Sequence, residues 1–146
     1  WPIADVAGEL LLDASVLVSL LDRTQQHHRA CDAAYQKTTG QLVTTEAALA
    51  EACYLLSKSV RGGVVRCLDF VVSTKIVVVP TTPLALARVL ALVKQYSDVP
   101  MDFADATLVA LAEGLGVRTV LTLDRRGFGV YRLHGRGTFE ILPVLP

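Results

Sequence analysis

With 146 residues and 14 basic side chains balanced by 14 acidic ones, the chain has the length of one domain, taken here as residues 1–146, and no bulk charge that points to nucleic acid. Hydrophobic residues make up 52% of it, enough for a substantial core with apolar surface left for a partner, yet no segment reaches the roughly 18 apolar residues of a membrane span. Cys31, Cys53 and Cys67 are odd in number and widely spaced, which speaks against a disulfide framework or zinc knuckle and for reduced, mostly buried thiols. The opening WPIADVAGE carries acids where a signal peptide would carry basic residues, so a trimmed start and a cytoplasmic location are expected.

In chain order, LLLD (10–13) reads as a short buried strand running directly into the helix ASVLVSLLD. A helix over 27–38 stops at Gly40, and LVT (42–44) is a second strand. Residues 45–60 form an alanine-rich helix, N-capped by Thr44 or Thr45, and Gly62–Gly63 separate it from a helix over 64–74. The β-branched run KIVVVP (75–80) predicts a buried strand, followed by a helix over 83–97. A further helix starts near Asp102 and ends at Gly114 or Gly116; then come a strand over 118–124, a loop DRRGFG and a last strand over 139–144. Short apolar strands alternating with helices predict an α/β fold with a mainly parallel sheet of about four to five strands and helices on both faces. Such sheets bind ligands at the carboxyl ends of their strands.

Acids fall at those ends. Asp13 closes the first strand and Asp124 closes TVLTLD, although an N-cap and a turn, respectively, would explain each alone. Glu51 stands mid-helix among Ala47, Ala48, Ala52 and Leu55, where an acid must be paired, protonated or bound to a cation. Glu46 lies about 140° around the same helix, and its place in the first turn, beside the helix dipole, accounts for it. Asp102 and Asp105 share a helix face at i and i+3, with an N-cap and first-turn explanation available for the pair. Asp13, Glu51, Asp105 and Asp124 come from separate elements, and gathered without a cation they would not all stay ionised. No lysine stands beside these motifs. Oxygen-only ligands favour magnesium or manganese over zinc, and the adjacent His27 and His28 diverge on a helix and read as surface residues. From Arg118 to Arg136 five arginines (Arg118, Arg125, Arg126, Arg132, Arg136) and His134 face Asp124 as the sole acid, a local basic stripe or an ordinary solvated loop.

Four blocks, LLLDASVLV, LVTTEAALAEACYLL, PMDFADATLVALAEGLG and VLTLDRRGFGVYR, with the strand FEILP after them, resemble the PIN-domain ribonucleases, most closely the VapC toxins of bacterial toxin–antitoxin pairs. The resemblance runs in order along nearly the whole chain and implies a PIN-like three-layer fold. It implies that Asp13, Glu51, Asp105 and Asp124 form the acidic catalytic and metal site, with Glu51 ligating directly or through water and Asp102 as a less regular member. Ser15 would hydrogen-bond the acid cluster or a water, and Thr122 would orient Asp124 or water. Gly127 departs from the pattern, since an acid often precedes the phenylalanine that follows.

What the resemblance implies is Mg²⁺-dependent hydrolysis of an RNA phosphodiester, with Mn²⁺ able to substitute, leaving a 5′-phosphate and a 3′-hydroxyl; the RNA would be structured, such as tRNA or rRNA. Arg125, Arg126, Arg132 and Arg136 would contact RNA phosphates beside the acids. A VapB-like antitoxin would lay an apolar helix on the hairpin formed by helices 45–60 and 64–74, and a homodimer is expected. A catalytically inactive PIN-like RNA-binding or interaction module is the alternative, disfavoured by the intact acid set. A phospho-acceptor receiver-like domain also places aspartates at strand ends, but it needs a lysine after a late strand, where this chain has Arg125 and Arg126.

Overall fold

The computed structural model describes residues 8–146, so most of the N-terminal stretch read above lies outside the described residues. Strand β1 (Leu10–Leu12) passes through Asp13 into α1 (Ala14–Leu21), and α2 (His28–Lys37) returns the chain to β2 (Leu42–Thr45). Helices α3 (Glu46–Ser59) and α4 (Gly63–Ser73) form a hairpin before β3 (Val77–Val79). Then follow α5 (Pro83–Gln95), α6 (Phe103–Leu115), β4 (Thr119–Leu121), the single turn α7 (Arg125–Phe128) and β5 (Glu140–Leu142). Thr45, not Thr44, caps α3, its hydroxyl accepting from the Ala48 N–H.

The strands form one sheet in the order β3-β2-β1-β4-β5, and every pairing is parallel. Alternation along the central strands sends side chains into two cores. Leu11 and Val120 pack with α5 and α6 through Val89, Leu92, Leu108 and Val109. Leu12 and Leu121 pack with α1, α3 and α4 through Val16, Leu17, Leu56 and Val71. Helices therefore cover both faces, the three-layer arrangement expected of parallel sheets.

Two expectations need correction. β3 is an edge strand, and Val77 and Val78 are only half-buried, because a neighbour exists on one side alone. The stretch DRRGFG is not an open loop: Asp124 caps a helical turn there through the Gly127 N–H at 3.0 Å. The three thiols are free, but Cys53 and Cys67 meet across the α3–α4 hairpin, and burial together with Cys53 pushes the Cys67 thiol up to about 12. That hairpin is tight. A Cβ on Gly63 would stand 2.1 Å from the Leu56 carbonyl oxygen, so only glycine allows the approach.

Candidate metal centre

The chain leaves β1 toward β2 and β3 on one side and then crosses to β4 on the other, so the topology switches between β1 and β4. Parallel sheets open a crevice at the carboxyl ends of strands at such a point. Asp13 follows β1 there and Asp124 follows β4. The cavity above them is lined by Asp13, Ser15, Glu51, Asp102, Asp105 and Asp124 among its polar residues, with Arg126 at its rim. Four elements thus bring the sequence-predicted acids to one place. Glu46 is exposed on the first turn of α3 and lies outside it.

Asp13 is only 5% exposed and caps α1. Its Oδ1 accepts the Ala14 N–H at 2.8 Å, and its Oδ2 accepts the Ser15 and Thr122 hydroxyls at 2.8 and 2.7 Å. Each hydroxyl also accepts a backbone N–H at the end of β4, both at 3.0 Å: Ser15 from Leu123 across the two strand ends, and Thr122 from Asp124 beside it. These bonds join the ends of β1 and β4 and fix how the two acids stand to each other. Burial still raises the Asp13 carboxyl above its ordinary value, with a contribution from the charge of Asp124, against the donors that lower it.

Asp102 and Asp105 make a reciprocal capping box at the start of α6. The Asp105 N–H donates to Asp102 Oδ1 at 2.8 Å, and the Asp102 N–H donates to Asp105 Oδ2 at 3.2 Å. The structural explanation of this pair therefore holds, and both carboxylates nevertheless line the cavity. Burial first, then Asp102 and Asp13, push Asp105 up to about 8. Burial, Asp102 and Asp13 likewise push Glu51 up to about 7. Among the described residues none of these acids forms an ion pair, whereas Glu113 pairs with Arg88 and His134.

Carboxylates crowded this way hold protons that a divalent charge would displace. The donor set is all oxygen, the chemistry of a hard cation, and the residues fit Mg²⁺ or Mn²⁺. Among the described residues no three Asp, Glu, His or Cys side chains already stand as a ligand set, so the acids line a shared cavity rather than a closed cage.

The basic stripe divides. Arg126 lines the acid cavity. Arg125 donates to the Pro143 carbonyl just past β5, and Arg132 donates to the carbonyls of Gly129, Val130 and Tyr131 in its own loop, so both are engaged with backbone. Arg118 and Arg136 are exposed. That loop is anchored from α6 by Glu113, which accepts the His134 N–H at 2.6 Å and a bidentate contact from Arg88 at 2.7 and 2.9 Å.

Sequence reasoning passed over Tyr131. It is fully buried, and its hydroxyl stands 3.4 Å from Asp105 Oδ2. The only signal in the sequence is its place near the end of GFGVYR. Gly127 also has a local reason here. A Cβ at this position would lie 2.4 Å from Asp124 Oδ2 and 2.7 Å from the Tyr131 hydroxyl.

Fold and site together define an α/β protein with an acidic cavity at the topological switch of a parallel sheet. The PIN domain family model matches residues 10–132, and the chain belongs to that family. It is 28% identical to Ribonuclease VapC26 of Mycobacterium tuberculosis, over 92% of this chain and 100% of that protein. Several solved structures share the fold. The M. tuberculosis Sarcin-Ricin loop cleaving toxin VapC20 superposes with a TM-score of 0.72 at 18% identity, covering 76% of this chain and 86% of that one. VapBC2 of Rickettsia felis, bound to a DNA fragment from its promoter, gives 0.67 at 14% identity over 92% and 99% of the two chains.

Proposed function

We propose that this chain is a metal-dependent endoribonuclease, the toxin of a toxin–antitoxin pair, which hydrolyses phosphodiester bonds of structured RNA in the cytoplasm. One observation carries the reading: Asp13, Glu51, Asp105 and Asp124, from four separate elements, line a single cavity with Arg126 beside them. The similarity to Ribonuclease VapC26 supports the same activity.

Asp13, Asp105 and Asp124 would hold Mg²⁺, with Mn²⁺ able to replace it, and Glu51 would join directly or through water. When bound, the cation supplies Lewis-acid polarisation of the phosphoryl group and lowers the pKa of an attacking water. The chain's own task is placement. Ser15 and Thr122 hold Asp13 and the backbone of Asp124 in fixed relation. Glu51, lining the same cavity, would also stand where it can take a proton from the nucleophile. Arg126, which lines the acid cavity, supplies the phosphate contact nearest the acids, and the exposed Arg136 is a further candidate. Products would carry a 5′-phosphate and a 3′-hydroxyl.

The α3–α4 hairpin exposes Tyr54, Leu55, Val65, Leu68 and Val72, an apolar face suited to a helix of a VapB-like antitoxin. Leu55 also lines the acid cavity, so an occupant of that face would sit beside the site. Structural relatives include a toxin–antitoxin complex from Klebsiella pneumoniae. A homodimer is part of the proposal.

The test is incubation of the full chain with total tRNA and rRNA. Cleavage that requires Mg²⁺ or Mn²⁺, and that Asp105→Asn abolishes without unfolding the protein, is expected. Full activity in Asp105→Asn would overturn the catalytic assignment. RNA binding without cleavage, indifferent to chelator, would favour a binding module instead.

A further inference from the structure

Tyr131 is a buried polar group for which the proposed mechanism has no use. Its ring packs edge-on against Tyr96 and Phe128, each with centroids 5.2 Å away, which fixes the direction of the phenol. A phenylalanine would fill the same apolar volume without burying a hydroxyl, so the hydroxyl's partners matter. It reaches two acceptors, the Pro100 carbonyl at 3.1 Å and Asp105 Oδ2 at 3.4 Å. With one proton it bonds the nearer and stands at the edge of reach of the other. Pro100 stands two residues before Asp102, the N-cap of α6, so both acceptors belong to the segment that places Asp105.

Gly127 makes the room. Its missing Cβ leaves the gap into which the phenol and Asp124 both fit, and its N–H holds Asp124 at 3.0 Å. One glycine thus admits two supports, one for each acid.

We propose that Tyr131 is a positioning residue of the acidic site: its hydroxyl, bonded to the Pro100 carbonyl, fixes the segment that carries Asp105 and so places that carboxylate for a divalent cation, with Gly127 as the residue that admits it. The proposal rests on reading the acids as a metal site. Residues that orient metal ligands from behind typically change metal affinity by 10–100-fold when removed.

The experiment is calorimetric titration of MnCl₂ into the full chain without RNA, comparing wild type, Tyr131→Phe, Asp105→Asn and the double variant, each checked by thermal melting. Tyr131→Phe should weaken Mn²⁺ binding roughly ten-fold. In the Asp105→Asn background it should change the residual affinity by less than about two-fold, because the group it acts through is gone. Unchanged affinity in Tyr131→Phe, with Asp105→Asn weakened, overturns the role of Tyr131 and leaves the metal site standing. Equal losses in both backgrounds overturn it too, since the effect would then be general packing. If Tyr131→Phe melts early, the titrations are repeated well below its melting temperature, and an affinity equal to that of wild type there counts against the proposal. Failure of the wild type to bind Mn²⁺ at all overturns the metal reading itself, and this proposal with it.

Discussion

Asp13 accepts three hydrogen bonds and is still held above the ordinary carboxylate range, because withdrawing its charge from water outweighs what Ala14, Ser15 and Thr122 return. Thr122 is fully buried and serves two partners. Thr122→Val should therefore cost about 1–3 kcal/mol, measured by urea unfolding, and should weaken Mn²⁺ binding as well. Gly127→Ala forces the Asp124 carboxylate aside rather than the backbone, since the nearest atom is the end of that side chain. A loss of about 1 kcal/mol with a larger proportional loss of cleavage is expected, read from melts and RNA assays on the same preparations. Asp13, Glu51, Asp105 and Asp124 were legible as candidates in the sequence because together they are acids flanked by core-type residues on separate elements, although a cap, a first turn or a loop turn explains all but Glu51 singly. Tyr131 was not, since a tyrosine among apolar residues is unremarked until an acid 26 residues earlier is placed beside it.

At the level of elements, helix boundaries followed local chemistry closely. Thr82 caps α5 through the Ala85 N–H with Pro83 in the first turn, and Gly116 ends α6 in the left-handed conformation at φ 69°. What local chemistry did not reveal was how elements meet. Gly63 read as a breaker between helices, whereas its structural duty is the close approach to Leu56. Gly63→Ala drives a Cβ into backbone that cannot yield, and about 3 kcal/mol of destabilisation is expected, checked by thermal melting with Gly62→Ala, whose Cβ meets open space but whose φ of 64° strains any other residue, as a milder comparison. The basic stripe looked uniform in sequence and is divided in space, with Arg126 at the cavity and Arg132 turned to backbone carbonyls. Arg126→Ala should lower RNA affinity and reduce the salt dependence of binding by about one counterion, measured by titration at several ionic strengths.

Over the whole molecule, the acid cavity couples protonation to stability. Glu51 and Asp105 have ordinary values of 4.5 and 3.8 and are raised to about 7 and about 8 in the folded chain. The folded state thus binds their protons more tightly than the unfolded state. Their contribution is fully present below the unfolded values and is lost as pH rises through the folded ones. Metal-free protein should melt at lower temperature at about pH 8 than at about pH 5 on this account. Mn²⁺ should reverse the trend, stabilising most at high pH, because ligation requires the carboxylates deprotonated and releases protons when it occurs. Scanning calorimetry across that range, with and without Mn²⁺, checks the sign. A metal-free stability independent of pH would contradict the burial of these acids.

By itself the sequence determined the alternation of short apolar strands with helices, hence the parallel α/β class, because periodicity and capping are written in neighbouring residues. It also singled out the acids, since a carboxylate in an apolar run is costly wherever the chain takes it. Only the tertiary structure decided the strand order β3-β2-β1-β4-β5, and with it the switch that brings Asp13 and Asp124 together. Only it decided which arginine faces the acids and what stands behind Asp105. Those are contacts between residues far apart along the chain, and they exist once two helical layers have closed over the sheet.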